Sequence, residues 1–327
     1  MISGRIRDFI SRTPVLFVLL AILWGGSFVA IEVGLHHFPP LLFAGLRYAI
    51  AGAAILGYAV VAADRWRPAG RDEWLTVGIV GAFIIAGHHA FLYLGEQYVS
   101  GAIAAVVVSL TPVLTVAFAA VLLDERLTGV QATGFALGVL GVGIVAGFDP
   151  ATALSTSAVG VGLVLLATAS FALGGVLTRP FRSDLPLAAM QGWAMVGGAG
   201  ALLAVGALRG ESMATVSWTP TAAWSLVYLT LLSGVVAFGV YFLLLDRVGP
   251  TQLNLVGYLE PVTAATFGWL LLGDLIDAGT VAGFGIIFLG FALVKRRALA
   301  GVVAGLRSCG DDAGEEAWSG DVGPADD

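Results

Sequence analysis

Cysteine is almost missing from this chain: Cys309 is the only one in 327 residues, so neither an internal disulfide nor a thiolate metal site is available to it. Charge is scarce as well, at 12% Asp, Glu, Lys and Arg, about half the ~25% of a soluble domain. That excludes a water-soluble globular fold. No GxSxG, HExxH or Walker lysine pattern occurs, and no pair of intramembrane aspartates. With loops too short to hold a catalytic domain, no enzyme, catalytic residue, cofactor or nucleic-acid partner is expected. Neither a repeated filter loop nor a ring of like charge, as a channel would need, is visible.

What is present is apolar: 58% of residues are hydrophobic and the mean hydropathy is +0.93. Stretches near the roughly 20 residues that cross a bilayer recur at about 14–31, 40–62, 75–94, 100–123, 129–148, 158–178, 186–208, 222–243, 250–272 and 278–294. This predicts an all-α polytopic membrane protein with ten transmembrane helices. Nine is the alternative, because the third and fourth runs nearly touch. The basic, apolar opening resembles a secretory signal, but the apolar run extends to Ile31 without a small-x-small cleavage site, so it reads as the first span.

Arginine and lysine resist translocation and stay on the cytoplasmic side. With the N-terminus inside, fourteen of the sixteen basic residues fall inside, including Arg65, Arg67, Arg71, Arg126, Arg179, Arg182 and Arg247. Arg209 alone falls outside and Arg47 alone falls within a span. A cell-membrane protein with both termini cytoplasmic is expected. Residues 298–327 carry seven Asp and Glu among Gly, Ala and Ser; such a segment buries too little to order itself and reads as a disordered tail. Overlapping its start, "RRALAGVVAGLR" after Lys295 has the composition of a short interfacial helix.

The chain also repeats itself. Between residues 107 and 141 a gapless shift of 149 gives eleven identities in 35 positions, among them Pro112 with Pro261 and Gly134 and Gly141 with Gly283 and Gly290; chance would give roughly four. Two repeats follow, 14–148 and 158–297, each of five spans. Five is odd, so the second copy enters the membrane from the opposite side and the repeats are inverted. In that arrangement a carrier binds its substrate between the repeats near the midplane. With no nucleotide motif, such transport runs on a gradient. Pro112 and Pro261 lie deep in matched spans, where each removes a backbone hydrogen bond and is expected to break its helix.

The doublet "SLTPVLTVAFAAVLLDERLTGVQATGFALGVLGVGIV" and "YLEPVTAATFGWLLLGDLIDAGTVAGFGIIFLGFAL", with "ILWGGSFVA" and "PPLLFAGLRYAIAG" upstream, resembles the EamA family of the drug/metabolite transporter superfamily. The resemblance covers roughly residues 14 to 297. It implies a ten-helix inverted-repeat carrier with cytoplasmic ends, an exporter of amino acids, other metabolites or drugs. The acidic end of the first motif is Glu125; its counterpart is the shorter Asp274.

Ionisable groups inside a span cost about 2.5–3.5 kcal/mol on insertion scales and normally face a cavity or a partner. Here they are Arg47, His88, His89 and Glu260. Glu260 replaces the Thr111 of the first copy beside the matched proline, which suggests a task needing one carboxylate only: proton exchange, or pairing with a cationic substrate. Capping the backbone freed by Pro261, or pairing with Arg47, are the alternatives. Arg47 reads as a clamp for a substrate anion or as a side chain snorkelling to the headgroups. Adjacent helical residues point about 100° apart, so one of the two histidines, His88 by preference, faces the cavity. Trp24, Tyr93, Trp193 and Tyr258 lie at similar depth and could wall a substrate or simply pack. The expected small-molecule site is therefore lined by Trp24, Arg47, His88, Tyr93, Trp193, Tyr258 and Glu260, with lipid as the surrounding partner and no metal. His36 and His37 read as solvated.

Overall fold

A computed structural model describes residues 13–147, 156–253, 256–294 and 296. The acidic tail 298–327 with its interfacial run, and the basic residues Arg5, Arg7, Arg12, Lys295, Arg297 and Arg307, lie outside them. The described residues are helical, with no strand among them. Seven helices are long and apolar enough to cross a membrane: α1 (Thr13–Leu35), α2 (Pro40–Ala62), α3 (Arg71–Gly95), α4 (Gly101–Leu122), α6 (Ser157–Leu177), α7 (Leu187–Leu208) and α8 (Pro220–Gly249). Three shorter apolar helices, α5 (Gly129–Val145), α9 (Val256–Leu272) and α10 (Ala278–Val294), complete the set.

Local chemistry sets the boundaries. Pro40 and Pro220 each open a helix in its first turn, where their missing N–H costs nothing. Thr128 caps α5 in a reciprocal box with Gln131, and Asp277, 149 residues later, caps α10 through the backbone N–H and hydroxyl of Thr280. Gly273, at φ 75°, ends α9 in the left-handed conformation a side chain would resist. Large apolar side chains remain exposed along the bundle, Val61, Leu208, Leu270 and Leu275 among them, more than a water-facing surface carries. Lipid is the medium that accommodates them.

The most extensive helix contacts are α2 with α7 and α5 with α10; α1 packs on α9, and α6 on α3 and α4. At the α5–α10 crossing a Cβ placed on Gly134 would come within 2.5 Å of the Gly290 carbonyl oxygen, and one on Gly141 within 2.7 Å of that of Gly283. From the other side, Cβ atoms on Gly283 and Gly290 would meet the Gly141 and Gly134 carbonyls at 2.7 and 2.6 Å. The backbones touch, so glycine is required at all four positions.

Several helices depart from α geometry. α3 passes through a π stretch at Val80–Gly87 and α8 through one at Tyr228–Val236. Between Val108 and Thr111 the chain makes a turn, and Pro112 occupies the first turn of the helical segment that resumes there. The break expected at Pro261 does not occur: the helix runs from Val256 to Phe267 straight through it. The Thr263 hydroxyl lies 3.2, 3.0 and 2.8 Å from the carbonyl oxygens of Leu259, Glu260 and Ala21. The same hydroxyl links α9 to α1, and a packed neighbouring helix allows a membrane helix to carry a proline.

Candidate functional site

Arg47 lies two turns into α2 and is only 4% exposed. A buried guanidinium needs its hydrogen-bonding capacity used, and here two neutral hydroxyls use part of it. Nη1 donates to the Tyr93 hydroxyl of α3 at 3.1 Å, and Nη2 donates to the Ser233 hydroxyl of α8 at 3.1 Å. The guanidinium carbon also sits 4.8 Å from the centre of the Tyr48 ring. Nε has no partner. Arg47 forms no ion pair among the described residues.

The π stretches position these partners. In α8 the widened turn carries Ser233, whose hydroxyl meets Arg47 while its backbone carbonyl accepts from Trp24 Nε1 of α1 at 3.3 Å. In α3 the π stretch ends directly before His88, and such local insertions are frequent at functional sites. Both histidines are buried there. His89 Nε2 pairs with the Tyr48 hydroxyl and Nδ1 with the Ile85 carbonyl at 2.9 Å. His88 instead pairs through Nδ1 with the Ala167 carbonyl of α6 at 3.0 Å and packs against Phe171. His89 therefore joins the Arg47 cluster through Tyr48, and His88 adjoins it with ring centres 4.5 Å apart.

Of the residues expected in the site, Trp24, Arg47 and Tyr93 come together, Arg47 bonding Tyr93 and Ser233 and Trp24 bonding Ser233; the histidine that joins them is His89 and not the preferred His88, which adjoins only through the His89 ring. Three others do not join them. Tyr258 is stacked on Phe291 at 3.9 Å, turned to α10. Trp193 belongs to a tryptophan cluster at the opposite end of the bundle, its Nε1 donating to the Trp66 carbonyl at 2.9 Å and its ring meeting Trp66 and Trp74. Glu260 is half-buried at the crossing of α1 and α9, where a Cβ on Gly25 would meet its carbonyl oxygen at 2.7 Å. Its carboxylate has no hydrogen-bond or ion-pair partner among the described residues, so it neither pairs with Arg47 nor caps the backbone.

Sequence reasoning passed over Ser233, Tyr48 and Glu96. Glu96 falls two residues beyond the apolar run placed at 75–94, yet it closes α3 as its C-cap and is only 4% exposed. The signal was present: it is the one carboxylate in the short link "GEQYVSG" between two apolar runs.

A model of the EamA-like transporter family matches residues 12–147 and, a second time, 158–296. The chain belongs to that family. Similar proteins within reach include the uncharacterized transporter YoaV of Bacillus subtilis, 26% identical over 81% of this chain and 90% of its own length. The uncharacterized inner membrane transporter YedA of Escherichia coli K12 is 27% identical over 89% and 92%. A probable amino-acid metabolite efflux pump of Salmonella typhimurium is 28% identical over 84% and 92%. A solved crystal structure covers 88% of this chain and 98% of its own with a TM-score of 0.59 at 21% identity, a likeness of fold alone. This EamA-like chain is thus a multi-pass membrane protein of a transporter family.

Proposed function

We propose that this EamA-like protein is a secondary transporter that exports small metabolites, amino acids or related compounds among them, by alternating access at a central site. The observation that carries the reading is Arg47: a buried cation with no ion-pair partner among the described residues, held where α2 and α3 meet α8. A fixed charge in that position is costly unless it meets a ligand. The Salmonella relative named as an amino-acid metabolite efflux pump supports the substrate class.

In this reading residues 14–148 and 158–297 are two inverted five-helix repeats, giving ten spans with both termini cytoplasmic. Three correspondences support the inversion. Matched glycines meet crosswise, Gly134 with Gly290 and Gly141 with Gly283. The caps Thr128 and Asp277 occupy matched positions. The third helix of each half, α3 or α8, carries a π stretch. Trp24, Tyr93 and His88 then wall the site beside Arg47.

A second reading, a carrier for cationic compounds coupled to protons through Glu260, is favoured by the unpaired carboxylate at the α1–α9 crossing. The test is counterflow in proteoliposomes. Purified protein is given labelled amino acids, organic acids and cationic dyes, and Arg47→Gln and Glu260→Gln are compared with wild type. Amino- or organic-acid flux abolished by Arg47→Gln supports the first reading. Dye flux abolished by Glu260→Gln but not by Arg47→Gln would replace it with the second. No flux of any class would remove both.

A further inference from the structure

Beside Arg47 lies a second buried group with unused bonding capacity. Both carboxylate oxygens of Glu96 are sealed from solvent and neither has a hydrogen-bond partner. Glu96 follows by three residues on α3 the Tyr93 whose hydroxyl receives Arg47 Nη1 at 3.1 Å, and no ion pair joins Glu96 to Arg47. The ionisable groups whose charges act on Glu96 are Glu32 of α1 and Arg47 of α2, and Glu96 acts in turn on Tyr93 of its own helix. Glu32 is already engaged, its Oε2 accepting from the Gly101 backbone N–H at 2.7 Å. Tyr93 sits one turn before Glu96, and its hydroxyl is committed to Arg47. One further unused group, the buried Thr230 hydroxyl, lies one turn from Ser233 on α8.

What is left over has a definite polarity. Arg47 offers three of its five N–H donors, the one at Nε and a second on each Nη, and its positive charge; Glu96 offers two carboxyl oxygens. A buried guanidinium and a buried carboxyl group, each expensive in its charged form without a partner, stand on the packed helices α2 and α3 without forming an ion pair. A lone anion would satisfy Arg47 and leave Glu96 worse off, and a lone cation would do the reverse. A metal ion has no ligand set there, since no group of three or more His, Cys, Asp or Glu could hold one among the described residues. A molecule with a carboxylate and an ammonium on neighbouring atoms satisfies both. Its carboxylate accepts from Arg47, and its ammonium donates to Glu96.

We propose that Arg47 and Glu96 are the two poles of a zwitterion subsite, and that Glu96 is the residue that selects substrates carrying an ammonium beside their carboxylate. The inference rests on the transport reading above. It makes Glu96, rather than Glu260, the carboxylate that meets a substrate cation.

The test begins with counterflow of the twenty common L-amino acids, run separately in wild-type proteoliposomes beside simple organic acids. The amino acid moved fastest is then competed against the amine left by removing its carboxylate and against the acid left by removing its ammonium. A site built to bond both groups should prefer the intact amino acid to either analogue by about tenfold or more. In Glu96→Gln, which keeps the shape and removes the charge, the preference over the deaminated acid should fall to about threefold or less. A residue that merely supports the fold would lower all fluxes and leave that ratio unchanged. If organic acids move and amino acids do not, or if the ratio survives in Glu96→Gln, the inference is overturned while the transport reading stands. Should Glu96→Gln fail to insert, wild type still decides: an analogue competing as well as the parent amino acid overturns the proposal. If nothing moves, the transport reading itself fails.

Discussion

Arg47 donates from Nη2 to the hydroxyl of Ser233, 3.1 Å away and 186 residues along the chain. The bond joins α2 to α8 inside the helix bundle, and the same serine accepts from Trp24 through its backbone carbonyl. One residue thus ties three helices to a buried positive charge. If that charge is the substrate clamp, its geometry matters beyond its sign. Arg47→Lys should keep the charge but lose the fork, reducing flux about 10- to 100-fold, the effect of about 1.5–3 kcal/mol for a charge-assisted hydrogen bond. Initial counterflow rates, normalised to protein in the membrane, measure it. Near-normal flux in Arg47→Lys would reduce Arg47 to a structural cation.

Glu260 and Glu96 make opposite predictions from similar chemistry. Under the Arg47-centred account Glu260→Gln should leave amino-acid counterflow within about twofold and leave its pH profile unmoved, because an interaction absent from the substrate contact changes rates little. Loss of the pH dependence in this variant would instead favour the proton-coupled reading.

The α5–α10 crossing predicts a sharp contrast along one helix. Gly141→Val would drive a side chain into the Gly283 carbonyl, whereas a Cβ on Gly143 meets nothing within 4 Å. Overpacking of this kind costs about 1–3 kcal/mol, so Gly141→Val should lower the thermal midpoint in detergent while Gly143→Val leaves it near wild type. Equal midpoints would mean that the two helices do not meet at these glycines.

At the start of α10 the Thr280 hydroxyl, and then its backbone N–H, hold the Asp277 carboxyl below the usual carboxylate range. A lowered value in the folded protein means that the cap contributes stability above the ordinary Asp value of ~3.9 and loses it as pH falls through the lowered one. Asp277→Ala should cost roughly 0.5–2 kcal/mol at neutral pH. The difference from wild type should shrink in acid, as read by thermal midpoints at neutral and strongly acidic pH. A difference that persists at low pH would show that the carboxylate is not the cap.

Much of the fold was legible because it is written in composition and period. Apolar runs located the helices, and the shift of 149 paired Gly134 and Gly141 with the residues they touch crosswise. Arg47 was legible as the one guanidinium inside a span, and Trp24 and Tyr93 followed from depth, but the preferred His88 turns to Ala167 and His89 takes its place. Depth says nothing of direction around a helix, which is why Tyr258 turned out to face Phe291; Trp193 was misplaced in depth itself, since it lies with Trp66 beyond the far end of α2. The π stretch before His88 adds a further rotation that a 3.6-residue period does not contain. Pro261 misled for a related reason: a proline announces a missing hydrogen bond, but the packing of α1 on α9 and the Thr263 hydroxyl that links them at the Ala21 carbonyl become visible only in the assembled fold.

The account turns on whether the Ser233 position is reached from both sides of the membrane in turn. With Cys309→Ser in the background, Ser233→Cys should be modified by a membrane-impermeant maleimide applied from either face of oriented vesicles. Saturating transported amino acid should slow labelling from both. Labelling from one face only, or from neither, with no response to substrate would contradict a central site opened alternately between the two halves.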